Sequence, residues 1–302
     1  MSIFAGKPLS PLSFLRRAEA DAAGLPALLA AAQKAAQSAM TGEHAQRKAG
    51  AGEKFWQFRE YNSFDRPQDI DWRQSGKGDR VFVRQKERQT VQTALFWCAS
   101  GPGMEYSSAP ALPTKQQDAM TIALGLAIMM HNAGEKIGPL DAAIRPSRSD
   151  TALRMMGQHF LGGAQETLPV AAEAIPRGAG LILCGDFLDP PEKIEKALTP
   201  LMARAGSGVI IQTCDPAELS LPFAGRVIFE SSGAVERHHI FHVESVRTAY
   251  QQRLHDHLES VRGLCRKSGW HWLLHTTDKP VRDTLARAWM MMAHERPQAG
   301  GA

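Results

Sequence analysis

The sequence predicts an α/β fold, a doubly wound and mostly parallel sheet with an N-terminal helical segment and a β-hairpin extension. Three observations predict it. Short apolar runs recur at Ala94–Cys98, Leu181–Cys184 and Val209–Ile211, too short for helices and without the alternation of a half-exposed strand. Longer stretches with apolar residues at helical spacing separate them, the alternation expected of parallel α/β units. The first run, Thr93–Cys98, leads into the small-residue loop A-S-G-P-G-M, at the strand end where α/β sheets build their sites.

From the N-terminus, Pro11–Met40 is rich in Ala and Leu and reads as one or two helices, with Pro26 suited to a first turn. Leu25, Leu28, Leu29, Ala32 and Ala36 supply its apolar stripe. Residues 1–41 form this helical segment, and Gly42–Gly52 is a polar connector. Arg80–Arg84 alternates as a half-exposed strand does, and the turn Lys86–Gln89 is expected to fold it back onto Val91–Cys98 as an antiparallel hairpin. Thr114 and Gln117 spell a capping box for a helix that runs to His131 and stops at Gly134. Asp189 and Glu192 are read as a second capping box, with Pro190 and Pro191 starting that helix and Gly206 ending it.

Phe223–Phe229 is expected to add a strand or an edge extension. Val243, Val246, Tyr250, Leu254, Leu258, Val261 and Cys265 then recur along one helical face up to Gly269. Trp270–Leu274 is a last strand, and Asp278 caps a final helix lined by Val281, Leu285, Ala288, Trp289 and Met292. The α/β domain therefore spans residues 93–295, with 296–302 a disordered tail.

Bulk properties exclude several classes. At 302 residues and 43% hydrophobic content the chain supports a large core, and 35 basic against 31 acidic residues give no general affinity for nucleic acid. Cys98, Cys184, Cys214 and Cys265 stand far apart, which suits neither a zinc knuckle nor a disulfide framework and fits a reducing cytoplasm. No signal peptide is legible, and the longest apolar run, Ala119–Met130, is short of a membrane span. His238, His239, His242, His271 and His275 are read as solvent-facing. G-x-S-x-G, Walker and H-E-x-x-H motifs are absent from the sequence.

Residues 42–92 are the most unusual stretch. Phe55, Trp56, Phe58, Tyr61, Phe64 and Trp72 interleave with Arg59, Arg66, Arg73, Arg80 and Arg84. Such a mixture can stack single-stranded nucleic acid. Residues 43–90 nevertheless hold 11 basic and 8 acidic residues, a balance that favours a network in which Arg59, Tyr61, Asp65, Asp71, Trp72 and Arg73 pin the segment together. A second alternative is a metal-dependent hydrolase or nuclease using Asp69, Asp71 and Glu87, with Lys86 beside them, although their spacing matches no ligand pattern.

The blocks R-E-Y (59–61), I-D-W-R (70–73), V-F-V-R-Q-K-E (81–87), G-D-F-L-D-P (185–190) and L-P-F-A-G-R-V (221–227), in this order, resemble the domain of unknown function 58 family. The resemblance extends from about Gly42 to about Met291. It implies a core of von Willebrand factor type A form with a six-stranded doubly wound sheet, and frequent genomic company with MoxR-type AAA+ ATPases, which suggests a chaperone or assembly role. Domains of this form commonly carry a metal-ion-dependent adhesion site that begins D-x-S-x-S. Aligning Met104 with the methionine after that motif places Ala99, Gly101 and Gly103 on the ligand positions, and none has a side-chain oxygen. A shifted register recovers Ser100 but puts Cys98 in place of the aspartate. Asp186 matches the late acidic position, with Thr213 and Asp215 nearby, and Phe64 replaces the family's glycine before Asp65.

The expectation is thus a cytoplasmic, non-catalytic protein-interaction module with a degenerate adhesion site and no cofactor. It would work with a MoxR-type AAA+ ATPase or its client, through Ser100, Asp186 and Asp215 at the carboxyl ends of the strands.

Overall fold

The computed structural model of the chain describes residues 30, 32–37, 75, the strands Phe55–Glu60 (β1) and Phe82–Lys86 (β2), and residues 93–294 apart from 142, 163–166, 171–172, 174 and 231–236. Its centre is a five-stranded sheet of Thr93–Cys98 (β3), Lys136–Pro139 (β4), Gly180–Gly185 (β5), Ser207–Cys214 (β6) and His271–Thr276 (β9), in the order β4-β3-β5-β6-β9. Every neighbouring pair is parallel. Burial on both faces accounts for the composition: Ala94–Cys98, Leu181–Cys184 and Val209–Ile211 are all buried.

The helices are Lys115–Asn132 (α1), Asp150–Gly162 (α2), Pro191–Arg204 (α3), Pro216–Ser220 (α4), Val243–Lys267 (α5) and Val281–His294 (α6). α1 contacts both α2 and α6, whereas α3 contacts α5. Alternation along β9 shows that the two groups cover opposite faces. Trp272 lies under Arg262 of α5, and His275, an odd number of residues away, reaches Asp118 of α1.

α1 is apolar almost all round because it is enclosed by the sheet, α2 and α6. Its expected capping box forms, with the Thr114 hydroxyl accepting from the Gln117 amide and the Gln117 side chain accepting from the Thr114 amide. Gly125 lets α6 approach, since a Cβ there would lie 2.9 Å from Leu285 Cδ1. Of the N-terminal stripe, Ala32 and Ala36 lie buried in a helical segment and join the main core, while Leu25, Leu28 and Leu29 fall outside the described residues, as does the tail 296–302. The long amphipathic helix is α5, and Gly269 follows it at φ +70°.

Several expectations are corrected. β2 does not fold back onto β3: it pairs antiparallel with β1, in a two-stranded sheet separate from the central one, so Lys86 is strand rather than turn. Alternation marks a strand without naming its partner. The strand expected in Phe223–Phe229 forms as Val227–Glu230 (β7), but it does not extend the main sheet and pairs instead with Arg237–Ile240 (β8) in a separate antiparallel pair. Among the described residues the central sheet has five strands rather than the six implied, and beyond β4 there is only an antiparallel bridge between Ile137 and Ser147. Asp189 does not cap α3. Pro190 occupies the cap position and makes no side-chain hydrogen bond there.

Candidate functional site

β3 and β5 deliver the small-residue loop and Asp186 to the same edge of the sheet. The Ala99 amide extends the β3–β5 ladder by donating to the Cys184 carbonyl at 2.8 Å, after which Pro102–Glu105 form a single 3₁₀ turn. Gly101, Gly103 and Met104 then face Asp186, Leu188, Asp189 and Pro190 across a cleft of about 230 Å³ that Thr167 also lines. Glycine sets the width of this cleft. A Cβ on Gly101 would meet Thr167 Cγ2 at 2.6 Å, and one on Gly103 would lie 3.3 Å from Asp186 Oδ2.

The Asp186 carboxylate is engaged by Lys115. The Lys115 ammonium lies 3.0 Å from Asp186 Oδ2 and 2.6 Å from Glu218 Oε1, and the lysine is only 1% exposed. Burial alone pushes that ammonium's pKa down, yet Asp186 and Glu218 together carry it above its ordinary value. Burial raises the Glu218 carboxyl, and Lys115 offsets only part of the rise. Neighbouring Tyr250 on α5 is pushed up to about 12 by burial and then by the Glu218 charge.

The rest of the network is structural. Asp215 caps α4: its Oδ1 accepts from the Ala217 amide and its Oδ2 from the Ser108 amide, each at 2.8 Å. Glu218 completes the capping box by accepting from the Asp215 amide at 2.8 Å while its other oxygen holds Lys115. Gln212 donates to the Asp186 carbonyl and accepts from the Trp272 indole, and His257 meets the Phe187 carbonyl at 2.7 Å, fixing the chain after β5.

Of the predicted partner-binding residues, Asp186 lines the cleft and Ser100 is half-buried beside it. Asp215 is fully buried and spends its carboxylate on two backbone amides, so it does not belong to a binding surface. Ala99 is buried, and Gly101 and Gly103 form the cleft wall. Tyr61, Asp65, Asp69, Asp71, Trp72, Arg73 and Glu87 fall outside the described residues, and Arg59 lies on β1 with its side chain undescribed.

Of the histidines expected to face solvent, His239 and His242 do so, and His275 needs correction. His275 is buried, with Nε2 2.9 Å from Asp118 Oδ2 and Nδ1 2.9 Å from Thr284 Oγ1, so it joins β9 to α1 and α6.

Sequence reasoning missed Lys115 and Glu218, and both had signals. D-P-A-E at 215–218 spells a capping box with proline at its first helical position. A lysine immediately after the Thr114 cap sits where the helix dipole disfavours a cation, which calls for a compensating partner.

A divalent cation does not fit this donor set. Positions 99, 101 and 103 bring no side-chain oxygen, and the Lys115 ammonium is held by both Asp186 and Glu218. Among the described residues no group of three or more His, Cys, Asp or Glu side chains is arranged to hold a metal, and no helix is long and apolar enough to cross a membrane.

Fold and site together define a class: an α/β protein with a parallel five-stranded sheet whose carboxyl-end loops form a cleft over a buried lysine–carboxylate network. The family follows from the sequence of that framework. Residues 57–260, about two thirds of the chain, match the family model described as Protein of unknown function DUF58, and the chain belongs to that family. No curated protein and no solved structure matches it.

Proposed function

We propose that the chain is a cytoplasmic, non-catalytic protein-interaction module of von Willebrand A type, whose cleft engages a MoxR-type AAA+ ATPase or that ATPase's client during assembly or maturation of the client. One observation carries the reading. The buried carboxylate at the cleft is already paired with an internal ammonium, so what the cleft offers a partner is shape, backbone and the 40%-exposed Leu188. Such a surface suits recognition of a loop or side chain better than bond-making chemistry. The four buried free cysteines agree with a reducing compartment.

Co-purification with a MoxR-type AAA+ ATPase tests the proposal, with and without ATP. Enrichment over a control bait is expected, and Leu188→Asp should abolish it without changing the thermal midpoint. Equal recovery with the control in both nucleotide states would overturn the reading.

A further inference from the structure

We propose that Lys115 is the resident cation of this end of the sheet, a tethered ammonium standing in for a divalent ion, and that Asp186 and Glu218 form a cryptic cation site exposed when that ammonium is removed. The two carboxylates come from different elements, one just after β5 and one on α4, yet both converge on a single nitrogen at 3.0 and 2.6 Å. Convergence of oxygens from separate elements on one point is how a protein holds a cation, whether a metal or an ammonium.

The position of the lysine strengthens the assignment. Lys115 is the first residue of α1, where the helix dipole opposes its charge, and it is threaded inward to 1% exposure at the cost of its rotamer freedom. A helix start does not otherwise select such a residue. The charge of the two carboxylates, at 3.0 and 2.6 Å, provides the compensation. Gly103 leaves the neighbouring space open, because any larger residue would bring a Cβ to 3.3 Å from the same Asp186 oxygen that binds the ammonium.

Shortening the side chain so that it ends before the nitrogen leaves two carboxylates facing a gap of about ammonium size. Mg²⁺ and Mn²⁺ accept such a pair of oxygens and complete their shells with water. The wild-type protein, holding its own cation, should need no divalent ion at this position. This inference is independent of what the cleft binds.

The experiment uses the full chain and Mn²⁺ as probe, read by calorimetric titration and thermal midpoint. Wild type should show no saturable heat, and its midpoint should not change between EDTA and Mn²⁺. Lys115→Met should gain one saturable site, at least about tenfold tighter than any residual wild-type binding, with a midpoint that rises as Mn²⁺ is added. Lys115→Met/Asp186→Asn/Glu218→Gln, which removes the ammonium together with both carboxylates that hold it, should fold and lose that gain. A saturable site in wild type, no gain in Lys115→Met, or an equal gain in the triple variant would each overturn the proposal. If Lys115→Met is unfolded in EDTA, circular dichroism decides: folding on addition of Mn²⁺ supports the proposal, and failure to fold in both conditions counts against it.

Discussion

Replacing His275 with leucine isolates the energy of one buried polar junction. In the neutral ring, hydrogen-bond chemistry assigns the proton to Nε2, which donates to the Asp118 carboxylate, so that Nδ1 accepts from the Thr284 hydroxyl. Leucine is close in volume, so the cavity contribution is small and the loss falls on the two partners. Asp118 keeps a carboxylate whose side chain is 9% exposed, and Thr284 keeps a buried hydroxyl. Stranding the charged group costs about 2–3 kcal/mol and the hydroxyl about 1 kcal/mol, for a total of roughly 3–4 kcal/mol. At about 2–4 °C per kcal/mol for a domain of this size, the thermal midpoint should fall by roughly 6–16 °C.

Urea unfolding followed by tryptophan fluorescence measures the loss, and a double-mutant cycle with Asp118→Leu locates it. The double variant should lose about 2 kcal/mol less than the sum of the single variants, because neither partner is then left alone. A loss below about 1 kcal/mol for His275→Leu, or strict additivity in the cycle, would refute the reasoning.

Three further outcomes are expected. Gly208→Ala places a Cβ 2.4–2.5 Å from three ring atoms of buried Trp270, so β6 or the indole must shift. It should destabilise the protein by about 1–3 kcal/mol in urea titration and alter the near-ultraviolet dichroism. The folded-state pKa of Lys115 lies above its ordinary 10.5, so the stability it confers is intact below pH 10.5 and disappears as pH climbs through the raised value. The difference in urea midpoint between wild type and Lys115→Met should therefore be constant from pH 7 to about pH 10 and shrink above it. All four cysteines are buried, and burial pushes the Cys214 and Cys265 thiols up to about 12. A disulfide-exchange reagent at pH 8 should find no reactive thiol in the native protein and four in urea, and rapid labelling of any one in the native state would contradict this burial.

Local sequence carried the strands and helices whose cause is local. β3, β5 and β6 were legible because a strand covered on both faces must be continuously apolar, α1 because its capping box and stop are written within a few residues, and α5 because its stripe repeats over 25 residues. β4 escaped because K-I-G-P is four residues long and contains proline, so its strand character comes from pairing with β3. Pro190 supplanted the Asp189 box in the same way, through a chain path that spacing alone did not reveal.

The sequence by itself determined an α/β chain with a site loop lacking side-chain oxygens at positions 99, 101 and 103, and with Asp186 as the acidic residue near it. Only the tertiary structure decided which strands pair, that Asp215 and His275 point inward, and that Lys115 occupies the charge centre of the site. The reason is range: Lys115 meets Asp186 across 71 residues and Glu218 across 103, and a pairing made over such distances leaves no local pattern in either partner's surroundings. Composition and periodicity record what a residue's own element requires, whereas the balance of buried charge is settled only when separate elements meet.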